Sequence, residues 1–322
     1  MDGSGGMKHF IGIDGGGTHS RLLAVHPDGS LLGRARGGST NLESNPADVV
    51  MANLNALVAD FHREHKTGFS DCLGLCFGTA GVDNQATKRS VEELLKKTDF
   101  TCPTMVVNDA NIALHANTGG GPGLMLISGT GSIAYGVNAR GAEKRVGGYG
   151  FLVGDECSGY WLASRGIREA LHAHDGLRAP TSLMEGFTAA LGLFEFEEIL
   201  DFVYKGNKAD MAQLSSVVAR ARDEGDAAAM EIFEEGLSYL RACVDQLVSD
   251  LGSEPMPLFL GGGLLTNNEF LRQSLAQHVA RRHPQLDIRG MDRPAEWGAV
   301  VLAAKLAGHR LPMAAFPDER EP

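Results

Sequence analysis

The feature that most constrains this fold is a unit that occurs twice in the chain. An apolar segment runs into a small-residue loop and is followed by further short apolar segments, first at 9–17, 21–25 and 30–37, then at 124–132 and 133–137. Short apolar segments separated by glycines and turn residues are typical of β-strands. The two copies predict two homologous halves, because a solenoid would need three or more short repeats.

The segments between and after the copies predict the remaining elements. Apolar residues at helical spacing predict a helix over 46–65, whereas 72–81 and 103–110 are typical of buried strands that end in small or polar residues. The chain is mainly helical from 155 to about 253, and a strand at 257–260 precedes the last helices. We therefore expect an α/β protein with duplicated halves of βββαβαβα type.

The two halves predict two lobes. We expect the N-terminal lobe at 1–118, joined by the C-terminal segment 307–322, and the C-terminal lobe at 119–306. Residues 1–6 are expected to be a flexible leader, because Met7 could itself be a start. The N-terminus lacks the basic and apolar regions of a signal peptide.

Composition excludes several classes of protein. The formal net charge of −11 opposes binding to nucleic acid and to anionic membrane surfaces, and no apolar run approaches the ~18 residues of a membrane span. Five cysteines without a C-x-x-C pair predict neither a disulfide framework nor a zinc knuckle, which fits a reducing cytoplasm. Glycine is the outlier, because 42 of 322 residues is about 13% against a usual ~7% and indicates tight backbone loops.

The first glycine loop is suited to a nucleotide phosphate. Gly15, Gly16 and Gly17 let backbone N–H groups approach a polyphosphate, while the Thr18 hydroxyl can donate to an oxygen and Asp14 can hold water on Mg²⁺. Alone, the same loop would be a glycine-rich hairpin without a ligand.

Two later loops offer the same chemistry. Backbone amides of Gly129, Thr130, Gly131 and Ser132 can wrap a phosphate, and a glycine turn containing Gly262 and Gly263 can let an adenine lie against the backbone. Each also has a simpler interpretation, the third as a strand-to-helix turn. A dinucleotide fingerprint ends at Ala134, but it must open a helix and 133–137 predicts a strand, so NAD binding is discounted.

The order of the three loops resembles the actin-like ATPase superfamily, whose ribonuclease H-like lobes bind ATP. The segment Gly147–Glu156, together with Ser39-Thr40-Asn41 and Val107-Asn108-Asp109-Ala110, is similar to the N-acetylglucosamine kinases of the BadF/BadG/BcrA/BcrD ATPase family over residues 9 to about 309. The resemblance implies that ATP contacts Thr18 and Thr130. It also implies sugar contacts at these positions: Asn41, Asp109, Gly148, Tyr149, Gly150 and Asp155. We expect a homodimer.

Asp109 is the candidate catalytic residue. Phosphoryl transfer to a sugar hydroxyl requires alignment, charge neutralisation by Mg²⁺ and an acceptor for the proton, and Asp109 ends an apolar strand where such an acceptor is expected. Its alternative role is to cap the helix expected over 110–116, and Asp155 could likewise cap the helix that follows it. Asn41 could cap the turn before Pro46.

Three functions fit these residues. The favoured one is ATP-dependent phosphorylation of the 6-hydroxyl of N-acetylglucosamine, with glucosamine or N-acetylmuramic acid as alternative substrates. A second is an iron–sulfur activator ATPase of a dehydratase, for which Cys102 and Cys157 are the candidate ligands. A non-catalytic sugar-sensing regulator ranks third, because no DNA-binding helical extension precedes Phe10.

Overall fold

The computed structural model describes residues 7–42, 45–82, 85–97 and 100–312. The expected leader 1–6 and residues 313–322 of the expected C-terminal segment lie outside them. The strands are β1 His9–Gly15, β2 His19–Val25, β3 Leu31–Gly38, β4 Cys72–Thr79, β5 Thr104–Val107, β6 Gly123–Ser128, β7 Ser132–Val137, β8 Glu143–Gly147, β9 Met256–Gly261 and β10 Leu286–Gly290. The helices are α1 Ala47–His65, α2 Gln85–Leu95, α3 Asp109–Thr118, α4 Gly159–His174, α5 Leu183–Leu191, α6 Ile199–Lys205, α7 Lys208–Gln213, α8 Ser215–Asp223, α9 Ala227–Leu251, α10 Gly263–Asn267, α11 Glu269–Arg282 and α12 Ala295–Leu306.

The strands form two five-stranded sheets with the same topology. In the first sheet β1, β2 and β3 form an antiparallel meander, β4 pairs parallel with β1, and β5 pairs parallel with β4. In the second sheet β6, β7 and β8 form the meander, β9 pairs parallel with β6, and β10 with β9. The predicted duplication of an α/β unit is confirmed.

Both faces of the first sheet are covered by helices. Alternation along β1 sends Ile11 and Ile13 to one face, where they pack with α1, and sends Phe10 and Gly12 to the other, where α12 lies. The predicted helix over 46–65 is confirmed as α1, which begins directly after Pro46. One unit therefore contains two apolar layers, one on each side of its sheet.

The division of the chain differs from the expected one at its C-terminal boundary. Described residues up to Gly121 and from Asp292 onward form one unit, and Pro122–Met291 form the other. The expected boundary at residue 306 assigned α12 to the second lobe, but α12 packs on the first sheet and on α3. A Cβ added at Gly12 would lie 2.4 Å from the backbone N of Val300, and one at Gly298 would lie 1.8 Å from the carbonyl O of Ile112.

The second unit has its own core. Buried residues of β6, α4 and α9 form one cluster there, together with residues of α5, α8 and α11. The segment predicted to be mainly helical contains six helices, α4–α9, among the described residues. None of the helices described is long and apolar enough to cross a membrane.

Candidate active site

The first glycine loop follows β1 and is held by the segment that contains Ser39 and Thr40. A Cβ at Gly15 would lie 2.7 Å from both the Phe77 ring and Oγ1 of Thr40, so only glycine fits there. Ser39 donates its hydroxyl to the carbonyl O of Gly16 over 3.1 Å. Gly17 and Thr18 are exposed at the tip of the loop, where the sequence predicted a phosphate contact.

Three carboxylates influence one another at this end of the first unit. Burial, together with the negative charges of Glu296 and Asp109 and against the opposing charge of Arg21, raises the pKa of Asp14 to about 6. Glu296, in the first turn of α12, is only 7% exposed, and its buried Oε2 has no hydrogen-bond partner among the described residues. These acidic groups suit a divalent cation such as Mg²⁺, which would compensate their charge.

Asp109 lies at the start of α3, immediately after β5. The N-cap of α3 is Asn108, whose side chain accepts from the backbone N of Ala110 at 2.6 Å. Oδ1 of Asp109 lies 2.8 Å from the same N–H group, and the residue is exposed. The role of cap therefore belongs to Asn108, and the exposed carboxylate of Asp109 can meet a substrate.

Asn41 is 93% buried beside the first glycine loop, since its exposed fraction is 7%. Its backbone O accepts from the side chain of Asn45 at 3.2 Å, and that side chain also donates to Oγ of Ser39 at 2.8 Å. Asn53 on α1 donates to the carbonyl O of Ser39 at 2.8 Å. These bonds fix the backbone that presents Asn41, whose carbonyl O also accepts from the backbone N of Asn45 at 3.1 Å in the turn before Pro46.

The second glycine loop joins β6 to β7 as a tight hairpin. The backbone N of Gly129 donates to the carbonyl O of Gly131 at 2.9 Å, and Oγ of Ser132 donates to the carbonyl O of Glu156 at 2.7 Å. Thr130 is exposed at the tip. Because the loop is followed by strand β7 and opens no helix, the structure agrees with discounting NAD binding.

Asp155 lies against this second loop with a lysine that the sequence did not reveal. A Cβ at Gly131 would lie 2.7 Å from Oδ2 of Asp155 and 3.1 Å from Nζ of Lys208. The same Oδ2 forms a 3.0 Å ion pair with Lys208, and Oδ1 accepts from the backbone N of Gly150 at 3.2 Å. Asp155 does not cap α4, because Ser158 does so through the backbone N of Trp161.

The loop before Asp155 depends on glycines. Gly147, Gly148 and Gly150 all have positive φ, between 71° and 89°, a region that favours glycine. Tyr149 between them is 62% exposed, and the guanidinium of Arg145 lies 4.8 Å from the centre of its ring. The residues of this segment that were predicted to contact sugar therefore lie in a loop whose backbone conformation requires glycines and whose Tyr149 side chain is exposed.

The second and third glycine loops meet in one cavity. A Cβ at Gly262 would lie 2.4 Å from the carbonyl group of Ser128, so the two loops are in direct backbone contact. The cavity has a volume of about 590 Å³. Apart from Leu264, its lining residues are small or polar: Gly129, Thr130, Gly159, Ala209, Ala212, Gln213, Ser215, Ser216, Ala219, Gly263, Asn267 and Asn268. This brings together the phosphate and adenine loops expected from the sequence.

Lys208 and Glu296 were missed by sequence reasoning for different reasons. Lys208 lies in a helical segment with many charged residues, and nothing in its spacing connects it to Gly131. Glu296 had a weak signal, because it is the only charged residue of α12 before Lys305. An acidic side chain in an apolar helix indicates a buried charge with a specific role.

The duplicated sheets and their hairpin glycine loops define the class of actin-like ATPases and sugar kinases. The chain belongs to the BadF/BadG/BcrA/BcrD ATPase family, whose sequence pattern it matches over residues 11–303.

Two relatives match along nearly the whole chain. It is 31% identical over 301 residues to the N-acetylmuramic acid/N-acetylglucosamine kinase of Clostridium acetobutylicum, covering 92% of this chain and 98% of the relative. It is 30% identical over 312 residues to the N-acetyl-D-glucosamine kinase of Dictyostelium discoideum, covering 91% and 97%. A crystal structure of a proposed N-acetylglucosamine kinase from Chromobacterium violaceum has a TM-score of 0.69 at 24% identity and covers 92% of this chain and 99% of that one, which supports the fold.

Proposed function

We propose that the protein is an ATP-dependent hexosamine kinase that phosphorylates the 6-hydroxyl of N-acetylglucosamine. One observation carries the chemical part of this proposal: Asp109 is an exposed carboxylate that follows the end of β5, in the first turn of α3. A carboxylate in this position can accept the proton of a sugar hydroxyl. The two kinase-named relatives support the choice of an amino sugar.

The nucleotide is assigned to the cavity of the second unit. The backbone amides of Thr130 and Gly131 and the hydroxyl of Thr130 would hold its phosphates, Gly129 would shape the loop, and Lys208 would add a positive charge beside it. Gly262 and Gly263 would border the adenosine. In the first unit, Thr18 and the backbone of Gly15–Gly17 would contact phosphate oxygens.

Asp14 is assigned to Mg²⁺ through water, with Glu296 as a second acidic group. When bound, Mg²⁺ neutralises charge on the transferring phosphoryl group. The buried position of Asp14 and the unpartnered Oε2 of Glu296 both support a cation here, because a cation would stabilise the charged form of these buried carboxylates. Glu296 would add negative charge beside Asp14 and accept a hydrogen bond from a water of the hydrated cation.

The sugar is assigned to the residues that the family resemblance implies. Asn41 and Asp109 would bind hydroxyls, Gly148, Tyr149 and Gly150 would line the ring, and Asp155 would complete the site. In the structure both oxygens of Asp155 already accept hydrogen bonds, from Gly150 and Lys208. A sugar hydroxyl bound there would share an oxygen with one of these donors.

The decisive test is a panel of amino sugars with ATP and Mg²⁺. We expect ADP release to depend on added sugar and to be faster with N-acetylglucosamine than with glucosamine or N-acetylmuramic acid. The sugar product should be the 6-phosphate, which ³¹P and ¹H NMR can identify. Sugar-independent hydrolysis as fast as transfer would contradict the proposal. Sugar binding without turnover would instead support a non-catalytic sensor.

The iron–sulfur alternative meets an obstacle in the structure. Cys157 is fully buried in the core of the second unit, where it cannot join a cluster shared between two subunits without unpacking that core. Sγ of Cys102 lies 3.3 Å from Sγ of Cys72 and all five cysteines are free thiols.

Free thiols and the use of ATP support a cytoplasmic location. The homodimer stays a prediction, which light scattering can test.

A further inference from the structure

A cluster of two histidines and an aspartate lies in the second unit, separate from the residues assigned to catalysis. Nε2 of His278 is 2.8 Å and Nε2 of His283 is 2.7 Å from the same oxygen, Oδ1 of Asp245. One potential metal-ligand atom from each residue lies within 4.8 Å of the other two. Three side chains therefore place three possible ligand atoms close together.

Two helices bring these residues together. Asp245 is in the C-terminal part of α9, and His278 is in the last turns of α11. His283 is the C-cap of α11, its backbone N donates to the carbonyl O of Val279 at 2.7 Å, and its ring contacts Asp245 on α9. The two imidazole rings have centroids 6.2 Å apart and meet edge to face.

The donor set has the chemistry of a transition-metal site. Two imidazole nitrogens and one carboxylate oxygen suit Zn²⁺ or Co²⁺, whereas Mg²⁺ prefers an all-oxygen environment. The pKa of Asp245 lies below its ordinary value, since the hydrogen bonds from both histidines outweigh the effect of partial burial. The side chains of Asp245 and His278 are 28% and 21% exposed, which leaves a side open for a water ligand.

The remaining oxygen of Asp245 is already oriented. Nε of Arg282 lies 2.9 Å from Oδ2, so the guanidinium holds the carboxylate while Oδ1 faces the two histidines. Outer contacts of this kind commonly fix the direction of a ligating group. The Arg282 side chain is 64% exposed, so solvent screens its charge and it is free to move when a cation binds.

We propose that Asp245, His278 and His283 form a binding site for one zinc-like divalent cation that fastens α9 to the end of α11. Zn–N and Zn–O bonds of about 2.0–2.2 Å would replace the hydrogen bonds to Oδ1 after rotation of the three side chains. Each imidazole would coordinate through Nε2 with its proton on Nδ1, so the proton that Nε2 shares with Oδ1 would be released to solvent or replaced by one on Nδ1 when the cation binds. The site lies at the end of α11 opposite Asn268, which lines the nucleotide cavity.

The test uses the full chain after removal of metal with a chelator. Calorimetry with ZnCl₂ should show one equivalent bound per chain, with no competition from millimolar MgCl₂, and metal analysis after gel filtration should give the same ratio. Thermal unfolding should shift upward with Zn²⁺. Co²⁺ should give the d–d absorption of a nitrogen- and oxygen-ligated ion, whereas a thiolate charge-transfer band would place the ion on a cysteine and overturn the proposal.

Three variants separate metal binding from a purely structural role. His278→Gln and His283→Gln should each weaken Zn²⁺ binding at least ~10-fold. Asp245→Asn keeps an oxygen that accepts both hydrogen bonds, so the fold should persist in circular dichroism while Zn²⁺ affinity falls. His174→Gln removes a surface histidine paired with Glu197 and should change nothing. No stoichiometric binding, or equal affinity in all four variants, would reduce the cluster to a hydrogen-bond network.

Discussion

At the scale of single residues, three carboxylates of the candidate site differ in what surrounds them. Asp14 is mostly buried among other negative charges, which raises its pKa to about 6. Asp155 is 5% exposed and is neutralised by Lys208, whereas Asp109 is exposed at a helix start. These environments suit Asp14 to a position beside a cation, Asp155 to holding a loop in place, and Asp109 to exchanging a proton.

Asp109→Asn should lower kcat by ~10² or more, because the amide cannot accept the proton of the sugar hydroxyl. The side chain keeps its size and can still accept from Ala110, so sugar and ATP affinities should stay within a few-fold of the parent. Steady-state kinetics and calorimetry measure the two effects. Asp60→Asn, an exposed aspartate on α1 paired with Arg63, is the control. Near-parental turnover of Asp109→Asn would remove this residue from the mechanism.

Lys208→Met should raise KM for ATP by about 10-fold or more with little change in KM for the sugar. The basis is the loss of a charged contact to phosphate, of about 1.5–3 kcal/mol, next to Gly131. Lys208→Arg should recover part of the affinity because the charge returns. Lys205→Met removes an exposed lysine paired with Asp201 and serves as the control. If Lys208→Met raised only KM for the sugar, its role would be to hold Asp155.

At the scale of elements, the packing of α12 on α3 requires a backbone without a side chain. The Cβ of alanine at position 298 would lie 1.8 Å from the carbonyl O of Ile112 and 2.5 Å from the backbone N of Ala116. Both atoms belong to a helix backbone, so neither can move aside without shifting α3.

Gly298→Ala should therefore lower the free energy of unfolding by about 3 kcal/mol or more, even though alanine favours helix by about 1 kcal/mol. Urea unfolding monitored by tryptophan fluorescence measures the change, since Trp297 is adjacent and buried. Gly290→Ala provides the control, because a Cβ there meets nothing within 4 Å. Equal stability of the two variants would mean that the helices can separate without cost.

α3 also contains a buried histidine that couples stability to pH. Burial, with a smaller contribution from the charge of Lys305, lowers the pKa of His115 to about 4. Above pH 6.5 the imidazole is neutral in both the folded and the unfolded chain and has no effect. Between pH 6.5 and 4 the unfolded chain binds a proton that the folded chain excludes, so stability falls as pH falls, by at most about 3 kcal/mol.

His115→Gln should reduce this acid-dependent loss. Comparing urea unfolding at pH 7 and pH 4.5, the variant should lose about 2 kcal/mol less than the parent, because glutamine does not titrate. His9 and His62 also have lowered pKa values through burial, so some pH dependence should remain. Identical pH dependence in both proteins would mean that His115 becomes protonated without unfolding.

The sequence predicted well the helices and strands that have a long apolar face or are bounded by glycine loops, and it predicted short exposed elements poorly. α1 and α9 have long apolar faces, and the two meanders are marked by glycine loops and turns, so both kinds of element could be expected from spacing. β10 has only Leu286 and Ile288 between charged or small residues, which is typical of an exposed edge strand and gives little signal. α3 was expected to start at 110 but begins at Asp109, because Asn108 provides the cap.

The same holds for the candidate site residues. Gly129, Thr130 and Asp109 could be proposed from the sequence because a loop or a strand end marks each of them, and their roles stay predictions. Lys208 and Glu296 were not, because each reaches its site through tertiary packing of a helix distant in sequence. No local pattern in 205–210 or 294–298 encodes the identity of the partner.

At the scale of the whole molecule, the chain forms the first unit, continues through the second and returns to the first with α12. An apolar helix such as α12 would be buried in either unit, so its pattern alone could not assign it. The second unit, Pro122–Met291, is in contrast one continuous segment with its own sheet and core, and it includes the complete cavity beside Thr130.

This continuity leads to a prediction about the isolated segment 122–291. It should fold cooperatively in urea, because its sheet and the core around α9 need no residue from outside the segment. It should bind ATP, measurable by calorimetry, since the phosphate loop, Lys208 and the cavity are all present. It should transfer no phosphoryl group to a sugar, because Asp109 and Asp14 are absent.

The matched comparison is the segment 7–121, which lacks α12. Gly12 and Ile112 would then face the space that Val300 and Gly298 occupy in the full chain, and Phe10 would lose the cover of Trp297. We expect this segment to unfold at lower urea concentration than the full chain or to aggregate, and addition of a peptide spanning 292–312 to restore part of its stability. The prediction would be wrong if the segment 122–291 failed to fold while 7–121 folded alone. The first unit, and not the second, would then be the one that folds without the rest of the chain.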